Sequence, residues 1–322
     1  MTDEGFLGID LGGTETKAAV LTAEGTVLWT SDRETEAAAG RDAVLARVED
    51  LVAEAERECP APLHSAAIAV PAVIDVASGT VEFMTNFPRD WNGFALRPEL
   101  ERRTGLRLSM LNDVRAATVG EQAWGAGRPY RDFICIAIGT GIGGGLVLNG
   151  ELYLGSRGAA GEIGHMTVEP DGPLCLCDNR GCMEAVASGP AMRRAAQERI
   201  EAGDRALAAL AGSERPTPRQ IAQAAHQGSK GACDVIAQAG RYIGIGLGSL
   251  ICALNPEAVV VGGGVAGAGE LLLGPMREEI ARRTVVFPRE RGRVEVIPSP
   301  LGGRAGALGA AAWSMRQAGV ML

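Results

Sequence analysis

Residues 6–17 read Phe-Leu-Gly-Ile-Asp-Leu-Gly-Gly-Thr-Glu-Thr-Lys, and this stretch decides how the rest of the chain is understood. Phe6 to Asp10 alternates as a strand, Gly12-Gly13 supplies a tight turn, and Lys17 to Thr22 returns as a second strand. Glu24-Gly25 turns the chain again into a third strand at Thr26 to Thr30, so the protein opens as an antiparallel meander. Asp42 to Arg57 then carries Val44, Leu45, Val48, Leu51 and Val52 at helical spacing, before Pro60, Pro62 and a strand from Ala66 to Val70. Leu106 to Leu111 is a further short strand. Asn112-Asp113 follows it and begins an apolar-periodic helix through Ala116, Val119 and Trp124.

The same grammar recurs later. Strand Phe133 to Ile138 enters Gly139-Thr140-Gly141-Ile142-Gly143-Gly144-Gly145, strand Leu146 to Leu148 follows, and Asn149-Gly150 is a hairpin turn before Glu151 to Leu154. The two glycine turns stand at equivalent bends, which predicts an internal duplication: two α/β halves facing a cleft. Ala232 to Ala253 is expected as a long helix ended by Pro256, and Ala258 to Val261 as a buried strand entering Gly262-Gly263-Gly264. Gly306 to Gln317 reads as a last small-residue helix that returns to the first domain. We expect a small domain of residues 1–118 plus 304–322 and a larger one of residues 119–303.

Composition narrows the partners. With 322 residues and 46% apolar content, the chain has the size and core of about two domains. A formal charge of −8 argues against nucleic-acid backbones and anionic membrane surfaces, both of which need a basic face. The apolar run from Ile251 to Val261 is broken by Asn255, Pro256 and Glu257, so no membrane span is expected. Met1 to Gly5 has neither a basic nor an apolar leader segment, and the seven cysteines are odd in number. Cytoplasmic residence is the expectation.

Three glycine clusters follow predicted strands, where backbone N–H groups are free to face an anion and no Cβ blocks it. That is the design of a phosphate cradle. No Gly-x-x-x-x-Gly-Lys-[Ser/Thr] occurs, and a dinucleotide fingerprint would open a helix, whereas residues 139–145 run into a hairpin. Asp10, at the strand end, suits a water-mediated magnesium role. Thr14, Thr140 and Lys17 could each serve phosphate oxygens.

His165, Cys175, Cys177 and Cys182 form a Cys3His set of four zinc ligands, which leaves no open position and so marks a structural site. Glu162 and Glu184 flank it, placed to accept hydrogen bonds from sugar hydroxyls. Asn112-Asp113 alone would be a helix cap. Its location between the two glycine-turn blocks makes Asp113 the candidate base for phosphoryl transfer, a reaction in which the carboxylate takes the hydroxyl proton late.

Taken together, these residues resemble the ROK family of sugar kinases, from Gly8 to Gly309. The motifs are Asp-x-Gly-Gly-Thr-x-x-Lys at Asp10–Lys17, Asn112-Asp113, the Gly139–Gly145 turn and the zinc block. The resemblance implies an actin-like, ribonuclease-H-like, duplicated two-domain ATPase fold with an interdomain cleft and a zinc-binding loop. It implies ATP and Mg2+ as cofactors, and glucose O6 as the usual acceptor, with N-acetylated or amino hexoses as alternatives. Asp113 would be the base. Ala72, Asn86, Asn112, Glu162, His165 and Glu184 would hold the sugar. Asp10, Gly12, Gly13, Thr14, Lys17, Gly139, Thr140 and Gly141 would serve the phosphates and Gly262, Gly263 and Gly264 the adenosine. Homodimers or homotetramers are usual. Two positions depart from the pattern: Ala72 stands where glycine is usual in the sugar loop, and Asp178 where glycine often follows the second zinc cysteine. Repressors of this type carry a DNA-reading domain ahead of the first glycine motif, which here begins at residue 8. A kinase is therefore expected.

Overall fold

The structure is a computed structural model and describes residues 4–84, 87–211, 216–286 and 293–320. Contacts divide the chain into two units. The first comprises residues 1–129, 145–161 and 300–322, and the second residues 130–144 and 162–299. The sequence expectation cut the chain at residue 118; the observed division leaves the helix that begins at Asp113 whole.

The first unit contains β1 (Gly5–Leu11), β2 (Glu15–Leu21), β3 (Val27–Glu34), α1 (Arg41–Glu58), β4 (Leu63–Val70), β5 (Ala72–Asp75), β6 (Thr80–Met84), α2 (Leu96–Thr104), β7 (Leu108–Asn112) and α3 (Asp113–Trp124). Its main sheet runs β3-β2-β1-β4-β7, with the meander antiparallel and β1, β4 and β7 parallel. Strand alternation sorts the side chains by size. Leu7, Ile9, Ile68 and Val70 join Val44, Leu45, Val48 and Leu51 of α1 in one core. Ala67 and Ala69 face the other way, into a second cluster with Ala116 and Val119 of α3. Fully burying each large aliphatic side chain in the first core contributes roughly 1.5–3 kcal/mol.

The remaining elements are β8 (Phe133–Ile138), β9 (Ile142–Leu148), β10 (Glu151–Leu152), α4 (Met183–Ala187), α5 (Gly189–Glu201), α6 (Arg205–Ala211), α7 (Pro218–His226), α8 (Lys230–Leu254), β11 (Ala258–Gly262), α9 (Glu270–Arg283), β12 (Glu295–Pro298) and α10 (Ala305–Gln317). The second sheet runs β10-β9-β8-β11-β12 and matches the first strand for strand, with β11 parallel to both β8 and β12. Asn149 and Gly150, at φ 57° and 82°, make the tight β9–β10 turn. Asn255 closes α8 in the left-handed region. By length and composition α8 could cross a bilayer, yet its buried face carries Val235, Ile236, Ile243, Leu247 and Ile251, and it packs along α9.

α10 belongs to the first unit, where it packs on β1 and α3. Small residues let it approach closely. A Cβ on Gly8 would lie 2.0 Å from the Ala307 carbonyl oxygen, and one on Gly309 would lie 1.7 Å from that of Ala116.

Candidate active site

In the first unit, β1, β4 and β7 end side by side, and their ends carry the chemistry. Asp10 is the last residue but one of β1, opposite Lys17 of β2 in the hairpin register. Gly12 donates to the Glu15 carbonyl at 3.1 Å, and a Cβ on Gly12 would come within 2.6 Å of that same oxygen, so glycine is required for the turn to close. Thr35 braces it from beneath: its hydroxyl donates to the Gly12 carbonyl at 2.6 Å and lies 2.8 Å from the Thr16 hydroxyl. Thr14 is exposed at the tip.

Asn112 and Asp113 divide their work. Asn112 is the true cap of α3, its Oδ1 accepting from the Val114 and Arg115 N–H groups at 3.1 and 3.3 Å. Its Nδ2 donates to the Ala72 carbonyl at 3.3 Å, tying the β7 end to the start of β5. Asp113 is the first helical residue and accepts from Val114 N–H at 2.9 Å. It is close enough to Asp10 to be felt there. Burial first, then the Asp113 charge, push the Asp10 carboxyl up to about 7, with Lys17 pulling the other way. Two carboxylates in one partly desolvated place ask for a cation, and oxygen donors of this kind suit magnesium.

Arg115 was invisible to sequence reasoning. Its side chain is 2% exposed, and its guanidinium donates to the Ala160 carbonyl at 2.9 Å and the Gly158 carbonyl at 2.5 Å. It fixes the 155–161 loop from a position just after the Asn-Asp pair. Only its place in the helix hinted at a role.

In the second unit, the turns after the parallel strands β8 and β11 are neighbours. Gly263 has φ 86°, and a Cβ there would strike the Ile138 oxygen and nitrogen at 2.3 and 2.4 Å. Gly139 and Gly264 have open space where a side chain would go, as close approach by a ligand requires. Thr140 is exposed between Gly139 and Gly141. Ligands of open α/β sheets bind at such carboxyl ends.

His165, Cys175, Cys177 and Cys182 converge, with all ligand atoms within 4.8 Å of one another. Cys177 Sγ lies 3.6 Å from Cys182 Sγ, and Cys175 Sγ 3.7 Å from His165 Nδ1. A tetrahedron with zinc–sulfur bonds of about 2.3 Å has edges of about 3.7 Å. The donor set, with two of its edges at that length, fits a tetrahedral zinc. Burial, with the neighbouring thiols, pushes the Cys182 thiol up to about 12, so three thiolates here call for a divalent cation. Asp178 takes φ 65°, the conformation in which glycine is more usual.

Glu184 follows Cys182 by two residues. Its Oε2 accepts from the Ile142 N–H at 2.8 Å, a bond to the glycine turn that no local pattern could have foretold. Glu162 is exposed, and its carbonyl accepts from His165 N–H at 3.1 Å. Asn86 lies outside the described residues.

Paired glycine turns at strand ends, repeated on two matching sheets, define a phosphate-handling protein of the actin-like ATPase class. The chain belongs to the ROK family, whose model matches residues 6–317. It is 38% identical to the glucokinase of Thermotoga maritima, over 95% of this chain and 96% of that one. With the glucokinase of Streptomyces coelicolor the identity is 36%, again over 95% and 96%. Among solved structures, a ROK family glucokinase from Streptomyces griseus in complex with glucose and AMPPNP superposes with a TM-score of 0.85 at 35% identity, covering 97% of this chain and 99% of that one.

Proposed function

We propose that this chain transfers the γ-phosphoryl group of ATP to a hexose, with glucose O6 as acceptor and Asp113 as general base. That it is an ATP-dependent sugar kinase follows from its glucokinase relatives at 36–38% identity and from a superposable glucokinase that holds glucose and AMPPNP. The single observation that supports the finer reading is the Asn112-Asp113 pair: Asn112 caps α3 through the Val114 and Arg115 N–H groups, and the Asp113 carboxylate, engaged with Val114 N–H through Oδ1, stands at the strand end beside Asp10.

Phosphoryl transfer asks little covalent work of a protein. The transferred group is loosely bonded at the transition state, so positioning and charge neutralisation dominate, and the hydroxyl proton leaves late. A carboxylate at the sugar hydroxyl is sufficient as acceptor for it. In this reading Asn112, Ala72, Glu162, His165 and Glu184 hold the sugar, and Asn86 is assigned with them. The turns at Gly12-Gly13-Thr14 and Gly139-Thr140-Gly141 receive phosphate oxygens through N–H groups and hydroxyls, aided by Lys17, and Gly262, Gly263 and Gly264 lie along the adenosine. Magnesium, general to ATP-dependent kinases, supplies charge neutralisation at the phosphates, with Asp10 as its protein-side partner through water. Zinc held by His165, Cys175, Cys177 and Cys182 is structural and takes no part in bond making.

Glucose is favoured because the glucokinase relatives align over nearly the whole chain. Ala72, which departs from the usual glycine, starts β5 with its side chain in the first core, and N-acetylmannosamine, N-acetylglucosamine and other hexoses are the alternative acceptors. A coupled ATP-consumption assay across these sugars, mannose, fructose, allose and glucosamine tests the proposal. Glucose is expected to give the highest kcat/KM. Preference for another sugar would overturn the acceptor assignment, and no turnover with any of them would overturn the function.

A further inference from the structure

We infer that the Cys3His loop is the brace of the second-unit phosphate turn, and that Glu184 is the positioning residue joining the two. The inference deepens the proposed function, because it rests on the 139–145 turn receiving nucleotide phosphates.

Ile142 is held from both sides, each time by a residue within two positions of a metal ligand. On one side Glu184, two residues after Cys182, accepts the Ile142 N–H at 2.8 Å through Oε2. On the other, Gly164, immediately before His165, lies so close that a Cβ there would sit 1.9 Å from the Ile142 carbonyl oxygen. The start of the turn is held as well: Gly189 N–H, at the head of α5, donates to the Gly139 carbonyl at 2.9 Å. The two ligand-bearing segments are themselves tied, since Met183 N–H donates to the Met166 carbonyl at 2.9 Å and Thr167 bridges Cys182. Moving His165 or Cys182 therefore moves the turn.

This also reassigns one glycine. A Cβ on Gly141 would lie 2.4 Å from Glu184 Oε2, so glycine at 141 admits the carboxylate that holds the turn rather than a ligand. Gly139, with open space around it, remains the position suited to ligand approach. A carboxylate accepting a backbone N–H is a charge-assisted bond, roughly twice as strong as a neutral one, and it aims the neighbouring N–H groups without touching the ligand.

A role limited to the sugar would leave nucleotide binding untouched when no sugar is present. The decisive experiment is calorimetric titration of the full chain with magnesium-AMPPNP in the absence of sugar, alongside zinc content by elemental analysis. Glu184→Ala is expected to weaken AMPPNP by at least about tenfold with zinc content unchanged, and Glu184→Gln, which keeps a neutral acceptor, by about threefold. Gly164→Ala adds no group that could reach a sugar hydroxyl; it pushes on Ile142 and is expected to weaken AMPPNP comparably to Glu184→Ala. Should Glu184→Ala fail to fold, Glu184→Gln and Gly164→Ala carry the test. Wild-type AMPPNP affinity in the folded variants would overturn the inference while leaving the proposed function standing. No AMPPNP binding by the wild-type protein would overturn the proposed function and the inference with it.

Discussion

The two glycine turns are copies of one device, and they are held in different ways. The turn at Gly12-Gly13 is fastened by neutral hydroxyls, Thr35 bonding the Gly12 carbonyl and Thr16, and its charge sits inside the strand end at Asp10. The turn at residues 139–145 has Ala137 and Ile138 where the first has Asp10 and Leu11, and its charge comes from outside, from Glu184 just after the Cys3His loop. The strand order is the same in both sheets, and the bracing of the two turns differs: one carries a carboxylate of its own at the strand end, and the other takes a carboxylate from a residue two positions after Cys182.

That contrast can be broken at three points, in descending order of effect. Cys177→Ser removes one of four ligands, and structural zinc in small sites carries an apparent binding free energy of about 10 kcal/mol or more. Loss of zinc by elemental analysis, with a large fall in melting temperature, is the expected outcome. Intact melting would show that the second turn does not need its metal.

The second point is Asp10. Its carboxyl titrates near 7 in the folded protein against an ordinary value of 3.8, so the native state keeps a proton that the unfolded chain gives up. Stability from this group is present below about pH 4 and is lost as pH rises toward 7, by at most about 4 kcal/mol. Nucleotide-free Asp10→Asn is expected to melt close to wild type at pH 4 and clearly above it at pH 8. An equal difference at both pH values would remove the burial of charge from the description of the first turn.

The smallest effect belongs to Thr35→Val. It keeps the shape and leaves the Gly12 carbonyl and the Thr16 hydroxyl without their partner, at a cost of about 1–2 kcal/mol in thermal or urea unfolding. No measurable change would mean that the hydroxyl brace is dispensable.

How much of this was legible beforehand follows from what is local. Hairpins and glycine turns announce themselves within ten residues, so the meander, the Asn149-Gly150 turn and the duplicated sheets could be read directly. The Cys3His cluster was equally plain, because three cysteines and a histidine packed into residues 165–182 seldom gather by chance. The edge strand β3 runs to Glu34, well past the Thr30 expected, because Thr30, Ser31, Asp32 and Arg33 lack apolar alternation and are held by pairing with β2. Residues whose partners arrive from far along the chain stayed hidden: Arg115 reaches 45 positions to Ala160, Glu184 reaches 42 positions to Ile142, and Thr35 reaches 23 positions to Gly12. Asp113 lies between these cases. Its letters say helix start, and the assignment of the cap to Asn112 rather than to Asp113 emerges only from the folded geometry.

Whether the Asp113 carboxylate takes the sugar proton is tested most directly by kcat for Asp113→Asn with glucose and ATP. The variant should retain zinc and glucose binding while losing at least about a hundredfold in kcat, since a general base of this kind contributes about 10²–10⁴. A kcat within a fewfold of wild type would contradict that role.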